Sequence, residues 1–177
     1  MTDTSKPDFP ALKVEDPDGL YQREDYRLGD SLGYLLKRTV SMLTGAIDQE
    51  LVRYDLTHPQ FSILMILHET NCSTAADLAR ETCGDTGAIT RMLDRLEAKG
   101  LVRRVRSAAD RRVVNIELTD SGAAAADQMP TLAINVLNRH LQDITRSELD
   151  TMKHLLRRLL RNGGVQIPGQ TVSPSEQ

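Results

Sequence analysis

The segment from Thr74 to Thr119 constrains the fold of this chain more than any other. Thr74, followed by Asp77 three residues later, has the spacing of a capping box and predicts the start of a helix. Gly84 marks a tight turn, and Asp85 suits the N-terminal cap of a second helix. The order helix, turn, helix is therefore predicted before any strand appears.

The second of these helices has two chemically different faces. Its apolar residues recur at i, i+3, i+4 and i+7, which predicts one stripe packed inward: Ile89, Met92, Leu93 and Leu96. A step of about 100° per residue places small and polar residues on the opposite face: Gly87, Thr90, Arg91, Asp94 and Ala98. Such a face can enter a DNA major groove without steric conflict. Lys99 and Gly100 predict the end of the helix.

Two short strands, 101–106 and 113–118, are predicted to follow, with a turn from Ser107 to Asp110. Residues 86–114 contain eight cations and three anions, a local charge of +5 in a chain whose net charge is −3. This contrast is what phosphate neutralisation requires. The alternative is a solvated surface whose arginines are paired in salt bridges. The candidate DNA contacts are Thr86, Gly87, Thr90, Arg91 and Arg95 on the helix, and Arg106, Arg111 and Arg112 in the strand pair and its loop.

Three motifs extend this pattern into a family resemblance. The run 96–104 (LEAKGLVRR), Asp110-Arg111-Arg112, and the run 118–122 (LTDSG) together resemble the MarR family of bacterial transcriptional regulators. Residues 56–61 resemble the family segment that leads into the preceding helix, so the resemblance covers roughly residues 30–161. It implies a mainly α fold with a small β-wing, a winged helix–turn–helix whose N- and C-terminal helices interlace in a homodimer. It also implies binding to double-stranded DNA at a pseudo-palindromic operator, usually as a repressor that a small ligand releases.

The rest of the chain fits this organisation. We expect a flexible N-terminal arm over 1–28, a MarR-type domain over 30–161 and a flexible tail over 162–177. Within the domain, 56–119 forms the DNA-binding part, and 30–52 and 120–161 form dimerisation helices. The helix from Thr119 is expected to run to about Ile144 with a bend near Pro130, and Thr145 and Glu148 form a capping box for the last helix. A monomer with an internal three-helix bundle is the alternative to the dimer.

The effector is expected to be a small aromatic acid. All six aromatic residues precede residue 62, and the family resemblance implies an effector site between the dimer helices and the DNA-binding part. Tyr34, Arg38 and His58 would offer a phenol, a guanidinium suited to a carboxylate, and an imidazole. Ordinary packing and surface charge are the competing interpretation of these three residues. No other cofactor is expected.

Other classes of protein are less well supported by the residues. The chain has no phosphate-binding glycine loop, His-Glu-x-x-His, Cys-x-x-Cys or nucleophile elbow, so an enzyme is not expected. Cys72 and Cys83 are interpreted as inert thiols rather than redox sensors, and no histidine spacing argues for a metal site. No apolar run suits a membrane helix, and a cytoplasmic location is expected. Activation, redox response and a winged helix used only for protein contacts remain alternatives to ligand-released repression.

Overall fold

The computed structural model describes residues 12–16, 18–70, 72–82, 84–108 and 110–165. Within these ranges, six α-helices and two β-strands follow one another in the order α1 (Leu32–Leu51), α2 (His58–Glu69), α3 (Ala75–Glu81), α4 (Thr86–Ala98), β1 (Val102–Arg106), β2 (Val114–Leu118), α5 (Asp120–His140) and α6 (Arg146–Asn162). Single 3₁₀ turns at Leu28–Asp30 and Val52–Tyr54 flank α1. This is the expected mainly α architecture with one small antiparallel sheet. The described part divides into two compact units, with the boundary inside α1 between Met42 and Leu43.

The first unit is organised around the N-terminus of α1. The Tyr21 hydroxyl accepts a hydrogen bond from the Leu32 backbone N–H at 2.8 Å, which satisfies one of the free donors at the helix start. The Tyr26 ring meets Tyr21 edge to face, with ring centroids 6.0 Å apart. Residues 1–11 and 17 of the expected flexible arm lie outside the described residues. Tyr21, which sequence patterning did not single out, therefore caps α1.

The second unit has one hydrophobic core, with α2 near its centre. Ile63 and Leu64 of α2 are fully buried because this helix is apolar on almost every side. A capping box between Thr57 and Gln60 starts the helix, and Pro59 occupies its first turn. The other large side chains that are fully buried in this core are Leu51, Leu78, Ile89, Leu93, Leu96, Met129 and Val136.

A close backbone contact joins the start of α5 to the start of the strand pair. Thr119 caps α5 by accepting a hydrogen bond from the Gly122 N–H at 3.0 Å, and its own N–H donates to the Leu101 carbonyl at 3.1 Å. Gly122 is buried against Leu101, where a Cβ atom would lie 1.8 Å from the carbonyl oxygen. Only glycine fits this position without movement of the backbone. The contact fixes α5 relative to β1.

The expected end of α5 was wrong by four residues. The helix ends at His140 rather than near Ile144, and Asp143 adopts a left-handed conformation with φ 67°. The capping box that starts α6 at Thr145 requires an extended residue there, so the intervening residues must form a turn. Pro130 lies inside α5, which continues past it.

Many apolar side chains of the terminal helices are exposed. In α1 the buried apolar residues are Ile47 and Leu51, whereas Val40 remains 62% exposed. The exposed group continues in α5 and α6 with Ile134, Leu137, Met152, Leu155, Leu159 and Leu160.

Among the described residues, no helix is long and apolar enough to cross a membrane. Residues 166–177 of the expected tail lie outside the described residues.

Candidate nucleic-acid interface

Helix α4 is held at both ends and presents one free face. Asp85 caps it by accepting a hydrogen bond from the Ala88 N–H at 2.9 Å, and Gly100, at φ 70°, turns the chain away after it. The inward stripe is as predicted, except that Met92 is half-buried rather than buried. Every residue predicted on the opposite face is exposed: Gly87, Thr90, Arg91, Asp94 and Ala98.

Two candidate DNA contacts on this face, Thr90 and Gly87, have their nearest neighbours in α4 and its N-terminal cap. The Thr90 hydroxyl donates to the Thr86 carbonyl at 2.9 Å, which leaves its oxygen lone pairs available to a partner. At Gly87, which is exposed, an added Cβ would lie 3.7 Å from a terminal nitrogen of Arg91 and 3.1 Å from the Asp85 carboxylate. Because residue 87 has no side chain, the first turn of α4 leaves space for a partner, and the Arg91 guanidinium lies beside that space.

Ion pairing separates the eight cations of residues 86–114 into two groups. Arg103 donates from two nitrogens to Glu117, which faces it across the antiparallel strands, at 3.0 and 2.8 Å. Lys99 binds both the backbone carbonyl and the carboxylate of Asp55, with 3.1 Å to the carboxylate. These cations are part of the structure of the unit. For them, the alternative of a salt-bridged surface is the correct description.

Arg104 forms the most connected of these ion pairs. Its guanidinium donates to Asp94 at 2.7 Å and to Glu97 at 2.5 Å, and both acids belong to α4. The hydrogen bond to Asp94 and the neighbouring Glu97 raise the pKa of Arg104, whose side chain is only 30% exposed. Its backbone N–H also donates to Glu97. Arg104 therefore joins the strand pair to the helix, a role that the residue pattern did not reveal.

The remaining five arginines have no ion pair among the described residues. All are exposed: Arg91 and Arg95 on α4, and Arg106, Arg111 and Arg112 on β1 and in the loop that follows it. Asp110, the anion of that loop, instead accepts a hydrogen bond from the Arg112 backbone N–H at 2.9 Å. Unpaired guanidiniums keep their donors free for phosphate or base edges.

The strand pair is anchored through the backbone of β2. The Ile116 N–H donates to the Ser73 carbonyl at 2.6 Å, just before α3 begins, and Ile116 is buried. Thr74 and Asp77 then form the predicted capping box of α3, and the Thr74 hydroxyl lowers the pKa of Asp77. The loop with its arginines thus extends from a fixed base.

The candidate effector residues lie in different units. In the first, the Arg38 guanidinium carbon lies 6.0 Å from the centre of the half-buried Tyr34 ring. In the second, the His58 backbone N–H donates to Asp48 at 2.6 Å, and its ring stacks on Phe61 with centroids 5.8 Å apart. Tyr34 and Arg38 therefore form a pair, whereas His58 has contacts of its own.

The cysteine and histidine positions add no reactive cluster to the described part of the chain. Cys72 is a half-buried free thiol, and Cys83 lies outside the described residues. Among the described residues, no three His, Cys, Asp or Glu side chains are grouped so that they could hold a metal ion. His68 instead lies 3.2 Å from Asp127 of α5.

Comparison with known proteins agrees with this geometry. The MarR family model matches residues 56–114. The multiple antibiotic resistance protein MarR of Escherichia coli is 35% identical over 130 residues, which are 71% of this chain and 90% of the relative. The crystal structure of a mutant of the E. coli protein complexed with operator DNA matches with a TM-score of 0.67 and 32% identity over 73% of this chain and 93% of the other.

A second structural relative carries information about a ligand. The structure that describes regulation of DNA binding of Bordetella bronchiseptica BpsR by 6-hydroxynicotinic acid matches with a TM-score of 0.68 and 27% identity, covering 76% of this chain and 96% of that one. The winged helix–turn–helix, the basic strand loop and these matches lead to one conclusion: the chain belongs to the MarR family of transcriptional regulators.

Proposed function

We propose that this protein is a sequence-specific DNA-binding transcriptional regulator that acts as a homodimer in the cytoplasm. The observation that carries the proposal is the set of five unpaired, exposed arginines on α4 and the strand loop, next to three cations that are already neutralised. Solubility alone does not require that some cations be neutralised by ion pairs while neighbouring cations stay unpaired. Phosphate binding does require unpaired cations, because each cation that neutralises a phosphate releases a counterion from the DNA and so adds affinity.

The candidate contacts are assigned to two roles in this proposal. Thr86, Gly87, Thr90 and Arg91, in the first turns of α4, are expected to face base edges in the major groove. Arg95, Arg106, Arg111 and Arg112 are expected to bind phosphate or, for the loop, the minor groove. The first group would determine which sequence is bound, and the second would contribute affinity to all sequences.

The dimer is proposed from the apolar surface of the terminal helices. Leucines of α6 such as Leu155 and Leu159 are 53% and 44% exposed, and α1 and α5 add further exposed apolar residues. Exposed apolar side chains in such number are unfavourable in water and suit burial against a second copy. Two copies of α4 would then bind successive major grooves about 34 Å apart.

Release by a small ligand is the proposed mode of control, with repression as its result. An aromatic carboxylate suits the Tyr34–Arg38 pair, because the guanidinium has no ion pair among the described residues and lies over a phenol ring. His58 is a further candidate contact. A ligand shifts the balance between bound and free DNA only by its different affinity for the two states. The same residues are compatible with activation, since the sign depends on where the operator lies.

The test is DNA binding as a function of salt concentration. Fluorescence anisotropy of the purified protein on genomic fragments that it selects should give an affinity that falls steeply with added salt. Arg111→Ala should weaken binding to every fragment and reduce the salt slope by about 1, whereas Arg91→Ala should change which fragment is preferred. Arg103→Ala is the matched control, because this arginine is already paired with Glu117. If neither Arg111→Ala nor Arg91→Ala changes DNA binding, a winged helix used for protein contacts becomes the better description.

A further inference from the structure

Helix α6 carries a row of basic side chains that the proposed DNA interface does not use. Lys153, Arg157 and Arg161 follow one another four residues apart, so they share one face of the helix, and we call them the basic row. Arg158 adds a fourth cation. All four are exposed, and none has an ion pair among the described residues. Since residues 151–165 contain no acid, this part of the chain has a charge of +4.

The helix itself explains only part of this charge. A cation in the last turn of a helix is stabilised by the partial negative charge at the C-terminus, and this accounts for Arg161. Lys153 and Arg157 lie more than one turn before the end of α6, where that effect has faded. Like charges four residues apart also repel each other, so the basic row destabilises the helix that carries it. An anionic partner would remove that repulsion.

The apolar contact of the proposed dimer does not cover the basic row. A step of about 100° per residue places Leu155 and Leu159 on the side of α6 opposite to Arg157. Burial of these leucines against a second copy therefore leaves the basic row outside the apolar contact. No residue of α6 is buried within the chain itself. The basic row is thus open to an occupant of its own, and its charge favours an acidic one.

The segment before α1 has the complementary charge. Residues 12–30 contain six acids and three cations, a net charge of −3. The Asp16 carboxylate accepts a hydrogen bond from the Asp18 N–H at 3.0 Å, and the Asp16 carbonyl accepts one from the Gly19 N–H at 3.2 Å. We call Glu15–Gly19 the acidic turn. Its acids Glu15, Asp16 and Asp18 are exposed, and none has an ion pair among the described residues.

Both surfaces also offer apolar contacts. Leu12 and Leu20, on either side of the acidic turn, are 83% and 103% exposed. Segments in which acids alternate with large apolar residues are typical of regions that bind a partner. On α6, Leu160 is 40% exposed and lies seven residues after Lys153, which places it at the border of the basic row. An acidic and apolar segment therefore matches α6 in charge and in apolar character.

From this complementarity we infer that the acidic turn of one copy docks on the basic row of α6 in the second copy of the dimer. The inference rests on the proposed function for the existence of the dimer. A second copy is the occupant because residues 12–30 lead directly into α1, and both α1 and α6 carry the apolar surface proposed to join two copies. In a two-fold symmetric dimer the contact forms twice. It makes the affinity of the two copies for each other depend on salt.

Charge reversal tests each half of the contact in the full chain. The turn variant combines Glu15→Lys with Asp18→Lys and spares Asp16, which holds the turn. The α6 variant combines Lys153→Glu with Arg157→Glu and leaves the last turn of the helix unchanged. Sedimentation equilibrium should show that either variant raises the dissociation constant of the dimer about tenfold at low salt, since weak ion pairs are lost from two symmetric contacts. The effect should shrink between about 0.1 M and about 1 M salt, as the Debye length falls from about 10 Å to about 3 Å.

A matched control separates the contact from the net charge of the chain. Glu69→Lys combined with Glu81→Lys changes the net charge by the same amount as the turn variant does, at exposed acids of α2 and α3 that have no ion pair among the described residues. This control should leave the dissociation constant unchanged. Circular dichroism identifies any variant whose fold has changed. An equal weakening of the dimer by the control and by the turn variant would overturn the inference.

A mixture of the two variants distinguishes a contact between copies from a contact within one copy. In a mixed dimer, the reversed turn faces a reversed α6 and the acidic turn faces the basic row, so both contacts between copies are attractive. In each pure dimer both contacts are repulsive. Native mass spectrometry, with one variant isotopically labelled, should therefore find more mixed dimers than random pairing gives. This measurement compares dimers with each other, so it also works when the dimer is too tight to dissociate.

The outcomes have separate meanings. A chain that carries all four reversals should regain the dissociation constant of the unchanged protein. Random pairing in the mixture would overturn the inference, and the acidic turn would then belong to its own α6 if the fourfold variant still recovers. Weakening by the α6 variant alone would also overturn it and assign the basic row to another anionic partner, such as nucleic acid. A dimer that no reversal affects would refute the docking alone, whereas an unchanged protein that stays monomeric would refute the proposed homodimer.

Discussion

Gly122 is a position where we expect the addition of a single methyl group to lower the stability of the fold strongly. An alanine Cβ would lie 1.8 Å from the Leu101 carbonyl oxygen and 2.8 Å from the carbonyl carbon, and both atoms belong to the backbone. Non-bonded heavy atoms repel steeply inside about 3 Å, so α5 and Leu101 must separate by roughly 1 Å. No side-chain rotation can relieve this contact.

The cost follows from what that separation breaks. The Thr119 N–H donates to Leu101, the Thr119 hydroxyl donates to Gly100 at 2.6 Å, and the same hydroxyl caps α5 through the Gly122 N–H. Loss of a cap costs about 1 kcal/mol, loss of a hydrogen bond about 1 kcal/mol, and overpacking about 1–3 kcal/mol. We therefore expect Gly122→Ala to lower the free energy of unfolding by about 3–5 kcal/mol, a large part of the 5–15 kcal/mol that is typical of a domain.

Urea denaturation followed by circular dichroism measures this difference, at one protein concentration because a dimer unfolds in a concentration-dependent way. Gly45→Ala is the matched control. Gly45 lies within α1, and no atom outside its own helix backbone lies within 4 Å of its added Cβ. This substitution should raise the free energy of unfolding by about 0.5–1 kcal/mol, the usual gain for alanine over glycine in a helix. A Gly122→Ala protein within about 1 kcal/mol of the unchanged chain would refute the steric argument.

Two further predictions concern the capping box and the charge network. We expect Asp77→Asn to lower the free energy of unfolding at pH 7. The difference from the unchanged chain should shrink as the pH falls below 3.8, because the Thr74 hydroxyl lowers the pKa of Asp77 and the carboxylate stabilises the fold only while it is ionised. Urea midpoints across pH 2–7 measure this difference, and a pH-independent difference would contradict the prediction. Arg104→Met should weaken DNA binding without changing the salt slope, because Arg104 is neutralised by Asp94 and Glu97 and only positions the strand pair. A slope reduced by about 1 would instead make Arg104 a phosphate contact.

Local interactions account for the parts of the fold that were predictable. The caps at Thr74, Asp85 and Thr145 each depend on residues three positions apart, so they are visible in the chain itself. The apolar stripe of α4 and its glycine terminator are equally local. The end of α5 was missed because it depends on where the next helix must start.

The roles of the individual cations were less predictable, because they depend on distances across the fold. Lys99 binds Asp55, 44 residues away, and the Arg103–Glu117 pair depends on the strand register. The composition of residues 86–114 showed the excess of positive charge but not which cations were already neutralised. Tyr21 was missed for the same reason, since its hydrogen bond to Leu32 joins an irregular segment to a helix.

The paired cations also constrain how the proposed regulation can work. Arg104 ties β1 to α4, and Ile116 ties β2 to the residue before α3, so the strand pair is joined both to α4 and to the start of α3. Changing their relative position would break ion pairs and a buried backbone hydrogen bond together, at a cost of several kcal/mol. Lys99, in contrast, joins the end of α4 to Asp55 through one partly exposed side chain. A ligand of modest affinity is therefore expected to move α4 and the strand pair as one body, with the change concentrated at the Asp55–Lys99 link.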